Sequence, residues 1–157
     1  MILQKGTQVP EISLPDQDSI IRKLSDFQGK YLLLYFYPKD FTPGCTKEAC
    51  NFRDAFPRFN PKVITVIGVS TDTPESHKKF IAKNNLPFIL LADTEKKMVQ
   101  AFGVWQPKKI FGKEFLGTVR TSFLVDPKGK IAKVYKNVNP LIHAAEVEND
   151  LQELSKN

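Results

Sequence analysis

An α/β domain with a largely buried central sheet is the fold class this sequence predicts, and three observations predict it. Short runs rich in β-branched and aromatic residues alternate with longer amphipathic stretches. Two of the runs, Tyr31–Tyr37 (YLLLYFY) and Val63–Val69 (VITVIGV), are apolar almost continuously rather than at every second residue, as expected of strands covered on both faces. The chain has 157 residues with no internal repeat or low-complexity linker, which suits one domain spanning 1–157 with a sizeable core.

Taken in order, the segment before Tyr31 reads as a small β extension, with short strands around Ile12–Leu14 and Ile20-Ile21 and a turn at Gly29-Lys30. Tyr31–Tyr37 is the first central strand. The spacing of Ala49, Phe52 and Phe56 then predicts a helix over Pro43–Phe56, with Thr42 as N-cap and Pro43 in the first helical position. Val63–Val69 is the second central strand, completing a βαβ unit. A second helix opens at Thr73-Pro74-Glu75 and stops near Asn84-Asn85, Phe88–Leu91 is a third strand, and Glu95–Phe102 is a short helix ended by Gly103. Thr121–Val125 and Ile131–Tyr135 flank Asp126-Pro127-Lys128-Gly129, whose proline and glycine suit a hairpin turn. A last helix opens at Asn139-Pro140 and runs to about Leu154, with Ala144, Val147, Leu151 and Leu154 on one face.

Composition removes several classes of function. Two cysteines are too few for a disulfide scaffold, and two histidines do not readily complete a four-ligand zinc site, so no metal or other cofactor is expected. The net charge of +6 comes mostly from lysines, in dispersed pairs such as Lys78-Lys79 and Lys108-Lys109. Only four residues are Arg, and no nucleic-acid-binding signature accompanies them, so a solvated surface is the reading and nucleic acid is not an expected partner. The opening residues Met1–Gly6 lack the apolar core of a secretory leader, and Tyr31–Tyr37 is far short of a membrane span. A cytoplasmic protein without a membrane partner is expected.

The informative stretch is Pro38-Lys39-Asp40-Phe41-Thr42-Pro43-Gly44-Cys45-Thr46-Lys47-Glu48-Ala49-Cys50. It places both cysteines just after a buried strand, at the start of a helix. Cys45 falls in the first turn, where unpaired amides and the positive end of the helix dipole favour a thiolate. That is the position of a nucleophile rather than of a small buried hydrophobe. Four residues separate the cysteines, unlike the C-x-x-C of dithiol oxidoreductases. Five steps of ideal helix put the two Cα atoms roughly 8.7 Å apart, whereas a disulfide needs about 4.4–6.8 Å. The pair therefore cannot bond while both are helical, and bridging requires the first turn or two to unwind.

The P-x-x-x-T-x-x-C pattern formed by Pro38, Thr42 and Cys45 resembles the active-site motif of the peroxiredoxins. The fuller string FYPKDFTPGCTKEAC is similar to the bacterioferritin comigratory protein (PrxQ) subfamily, as are Leu91-Ala92-Asp93, Gly103-Val104-Trp105 and Arg120–Asp126 (RTSFLVD). The likeness covers nearly the whole chain in order. It implies a thioredoxin-like fold, with a central mixed sheet flanked by helices and a short N-terminal β extension. It also implies a thiol peroxidase acting on hydrogen peroxide and organic hydroperoxides, all of which present the same O–O bond. By the resemblance, Cys45 is the peroxidatic cysteine, attacking the peroxide to give a sulfenic acid. Thr42 supplies a hydroxyl to the thiolate and the peroxide, Pro38 shields the sulfur from water, and Arg120 holds the thiolate and the developing charge. Cys50 is the resolving cysteine, a thioredoxin-like protein is the reductant, and intramolecular resolution favours a monomer, with a weak dimer compatible. Phe41 departs from the pattern, standing where relatives are often polar or small, which touches the rim of the site.

Two other readings compete: a general thiol–disulfide oxidoreductase, which would carry C-x-x-C and have no need of Arg120, and a basic binding module with inert cysteines. Glu48 either orients Arg120 or belongs to a solvated helix face. His77 and His143, with no ligand cluster at suitable spacing, read as surface or capping residues. Trp105, Phe111 and Phe115 lie in a Lys-rich stretch too long for a structureless connection; it either borders the site or covers the sheet edge.

Overall fold

The computed structural model describes residues 1–155. Its core is a five-stranded mixed sheet built from β3 (Tyr31–Phe36), β4 (Ile64–Ser70), β5 (Ile89–Ala92), β8 (Thr121–Val125) and β9 (Ile131–Tyr135), in the spatial order β5-β4-β3-β8-β9. β3 runs parallel to β4, and β4 to β5, while β8 and β9 are antiparallel additions on the other side of β3. Alternation along β3 shows why this strand is apolar at every position. Leu33 and Tyr35 enter one core with Ala49, Phe52, Phe80 and Val147, beneath helices α1 (Pro43–Ala55), α2 (Pro74–Asn84) and α4 (His143–Ser155). Leu32, Leu34 and Phe36 enter the other core with Met98, Val99 and Phe102, from α3 (Lys97–Ala101) and the residue after it. Leu14 and Leu24 of the N-terminal extension complete that second layer. Both faces of the sheet are thus closed, as continuous apolarity requires.

The extension is an antiparallel pair, β1 (Ser13–Pro15) with β2 (Ile21–Lys23). The turn between β8 and β9 forms where expected, with Gly129 at φ 87° and the Asp126 amide donating to the Lys130 carbonyl. Helix α2 has its expected ends: Thr73 Oγ1 accepts from the Ser76 amide, and Asn85 caps the other end in the left-handed region at φ 52°. Two expectations shift. The last helix starts at His143, because Asn139 closes a turn of its own, its Oδ1 accepting from the Leu141 amide and its carbonyl from those of Ile142 and His143. The third helix covers only Lys97–Ala101, preceded by Lys96 in the left-handed region.

The Lys-rich stretch is a separate antiparallel hairpin, β6 (Trp105–Ile110) with β7 (Lys113–Thr118). Phe111 and Gly112, both at positive φ, make the two-residue turn whose twist suits such a hairpin. Among the described residues no helix is long and apolar enough to cross a membrane.

Candidate active site

Strand β3 delivers the chain to the site. Tyr37 extends the pairing with β4 by one bond, and Pro38, half-buried, ends it with a bend. Phe41 sits at φ 63°, a left-handed conformation that a non-glycine residue adopts only at a cost. Its half-exposed ring rests edge-on against Phe80 of α2, with centroids 5.2 Å apart. Helix α1 then starts. The first bond of its ladder runs from the Thr46 amide to the Thr42 carbonyl, so the amides of Gly44 and Cys45 stand ahead of it, at the positive end of the helix.

Thr42 is the N-cap by backbone geometry, but its hydroxyl does not cap. It donates to the Lys39 carbonyl at 2.7 Å, tightening the loop before the helix. Cys45 is buried, with 1% of its surface exposed. Arg120, in the turn from β7 into β8, donates from Nη2 to the Cys45 sulfur at 3.2 Å and from Nη1 to Glu48 Oε1 at 3.3 Å. Gly44 makes that approach possible: a Cβ there would stand 2.8 Å from Arg120 Nη2. Glu48 is 1% exposed, and burial pushes its carboxyl up to about 7 while Arg120 pulls it down. Of the two readings for Glu48, the geometry gives the partner of Arg120.

Cys50 lies on the same uninterrupted helix, half-buried, with its thiol 3.7 Å from Asn84 Oδ1. Both cysteines are free thiols. Thr42, Cys45, Glu48 and Arg120 thus gather around the helix start. Pro38 stands at the strand end that feeds it, and Cys50 rides on the same helix further along.

The histidines are not surface residues. His77 and His143 are both fully buried. His77 Nδ1 lies 2.7 Å from Asp40 Oδ2, and its Nε2 lies 2.9 Å from the Leu91 carbonyl, which can only accept, so Nε2 carries a proton. Asp40 also accepts from the Tyr37 hydroxyl at 2.6 Å and the Ser76 hydroxyl at 2.8 Å, and its amide donates to Asp72 Oδ2 at 2.8 Å. Ligand atoms of Asp40, Asp72 and His77 lie within 4.8 Å of one another, but these groups already satisfy each other and Ser70. The cluster is a polar pin fastening the loop before Cys45 to β4 and α2. His143 bonds Ser122 Oγ at 2.7 Å, lies edge-on to Phe52 and Tyr135, and has its ring held below the usual histidine range chiefly by burial. No nearby spacing reveals these roles, because the partners come from distant segments.

Comparison with known proteins gives the family. The AhpC/TSA family model matches residues 5–134. Peroxiredoxin Bcp of Bacillus subtilis is 46% identical over 156 residues, which is 99% of each chain. A cysteine-to-serine mutant of PrxQ from Xylella fastidiosa superposes with a TM-score of 0.92 at 33% identity, over 99% of each chain. The bacterioferritin comigratory protein of Xanthomonas campestris, studied for its alkyl peroxide reduction, superposes with a TM-score of 0.85 at 34% identity, over 90% of each chain. A cysteine at a helix start, a guanidinium on its sulfur and relatives matched end to end place this chain in the AhpC/TSA family, as a thiol peroxidase of the Bcp/PrxQ peroxiredoxin branch.

Proposed function

We propose that Cys45 is the peroxidatic nucleophile and Cys50 its resolving partner, and that the protein works as a monomeric single domain in the cytoplasm. The observation that carries the assignment is the 3.2 Å contact between Arg120 Nη2 and the Cys45 sulfur. The thiolate of Cys45 attacks the terminal oxygen of a hydroperoxide. An S–O bond forms, the O–O bond breaks, and the departing oxygen takes up a proton as water or alcohol, leaving Cys45 as a sulfenic acid. Arg120 is the donor aimed at the charge that passes from sulfur to oxygen. Thr42 shapes the loop at the helix start, and its hydroxyl can turn from the Lys39 carbonyl to an incoming peroxide. Pro38 covers the strand end beside the helix.

The Cys50 sulfur then displaces the hydroxyl of the sulfenic acid, forming the S–S bond and releasing water. Because helix α1 runs unbroken through both positions, their Cα atoms are held roughly 8.7 Å apart, too far for a bridge. Resolution therefore requires the first turns to unwind, which also exposes the disulfide to a thioredoxin-like dithiol protein. The test is intact mass of the reduced protein before and after one equivalent of hydrogen peroxide, quenched within seconds by a thiol-blocking reagent. Loss of two hydrogens with no label taken up is expected. Two labels and no oxidation would refute the assignment.

A further inference from the structure

We infer that Lys108 of β6 is the second cation of the peroxide site, a positioning residue whose ammonium adds to the charge of Arg120 at the Cys45 sulfur and ties the hairpin to the segment carrying Arg120. The inference rests on the reading of Cys45 as the reactive thiol. Hairpin register opposes Lys108 to Phe115 and Gln106 to Gly117. A lysine there could extend into water. Instead its stem runs back over Gly117, where a Cβ would meet Lys108 Cδ at 2.9 Å, and its Nζ donates to the Thr118 carbonyl at 3.1 Å. The ammonium is thereby carried from the exposed hairpin to its root, two residues from Arg120. Lys108 is partly buried, whereas Lys109, on the opposite face of the same strand, is exposed and opposes Glu114.

The electrostatics agree with that placement. Partial burial and the neighbouring guanidinium of Arg120 hold the Lys108 ammonium below its usual range, while the Cys45 sulfur draws it up. Arg120, in the turn before β8, is in contact with the Cys45 sulfur and with Glu48 of α1, while Lys108 of β6 and the buried phenol of Tyr35 of β3 both feel the sulfur's charge. Glu48 is the one carboxylate among them, and burial works against its charge. A second cation therefore leaves the site positive when the thiolate forms and when negative charge moves onto the departing oxygen.

The experiment compares K108M, K108R and K109M in the full chain, with two readouts. In K108M, kcat/KM for hydrogen peroxide should fall by about three- to tenfold, the size of one charge removed near but not in contact with the sulfur. In a Cys50→Ser background, the pH–rate profile for alkylation of Cys45 by iodoacetamide should move to higher pH in K108M. K108R should restore both, and K109M, with the same change in net charge, should leave both unchanged. A K108M protein with wild-type kinetics and an unmoved alkylation profile overturns the inference. So does failure of K108R to restore either, which would assign the effect to packing of the lysine stem. Alkylation needs no peroxide, so it decides the role of Lys108 even if wild-type Cys45 proves not to be the peroxidatic residue.

Discussion

Gly44 separates the stability of helix α1 from the chemistry at its start, and Gly44→Ala is the substitution that exploits this. The position is helical with no left-handed φ, so backbone strain does not oppose a side chain there. Alanine favours helix over glycine by at most about 1 kcal/mol, so folding alone predicts a neutral or slightly stabilised protein. The new Cβ would, however, stand 2.8 Å from Arg120 Nη2 and 3.6 Å from its Cζ, where ordinary contact begins at 3.4 Å. The end of a flexible side chain gives way more easily than a helix, so the guanidinium retreats by about 0.6 Å or more and its 3.2 Å contact with the sulfur is lost. Losing one preorganised donor costs about 100-fold in rate, or ~2.7 kcal/mol of transition-state stabilisation. Stopped-flow measurement of kcat/KM for hydrogen peroxide, beside thermal unfolding, checks both halves. Because the effect runs through Arg120, Gly44→Ala should add little to Arg120→Met in the double variant. A kcat/KM within twofold of wild type at unchanged stability would refute the reasoning.

Three further outcomes follow from neighbouring groups. The Glu48 carboxyl, raised by burial to about 7 from an ordinary 4.5, keeps its proton in the folded state over a window where the unfolded chain has lost it. The native state then binds more protons, so stability is greatest below the lower value and is lost as pH rises through about 7, by about 3 kcal/mol. Urea unfolding at pH 5 and pH 8 should show this fall in wild type and lose it in Glu48→Gln. The Tyr35 hydroxyl is buried without a hydrogen-bond partner, so Tyr35→Phe should raise unfolding free energy by about 1 kcal/mol by removing an unpaired polar group; a loss of stability would mean the hydroxyl has a partner. One equivalent of peroxide should lower the helical signal in far-UV circular dichroism for wild type but not for Cys50→Ser, which should gain one oxygen in mass; a bridged wild-type protein with unchanged helicity would contradict the unwinding.

The central strands were legible because they are apolar on both faces, and β3 and β4 lie within a residue of their sequence-based bounds, while β8 and β9 fall on Thr121–Val125 and Ile131–Tyr135 because a proline- and glycine-bearing turn separates them. The place of Cys45 in the first turn of a helix was legible from Thr42, Pro43 and the spacing of Ala49 and Phe52. Hairpin β6–β7 was not, since most of its residues are exposed, lysines interrupt its apolar alternation, and its turn is Phe111-Gly112 rather than a typical Asn-Gly. With the hairpin went Lys108, whose approach to Arg120 depends on a cross-strand register. The buried histidines were illegible for another reason. Asp40 lies 37 residues before His77, and Ser122 lies 21 before His143, so only the closed fold makes them partners. Glu48, three residues after Cys45 on one helix face, was within reach of spacing alone, but its burial was not.

These same contacts give the proposed cycle an order. Attack on peroxide needs the first turn of α1 intact, since only there does the sulfur stand at the positive end of the helix with Arg120 in contact. Resolution needs that turn open. While the sulfur is a thiolate, its bond with the guanidinium joins two opposite charges; once it is a sulfenic acid only the guanidinium is charged, and the Coulomb attraction between the two is gone. Arg120 then keeps its 3.3 Å contact with Glu48, while no charge remains on the sulfur to hold it there. Unwinding does not spread backwards, because Asp40, Tyr37, Ser76 and His77 pin the preceding residues to β4 and α2. Chemistry at one atom thus withdraws the interaction that held the turn closed, while a fixed hinge beside Phe41 confines the opening to the residues that carry Cys45 toward Cys50.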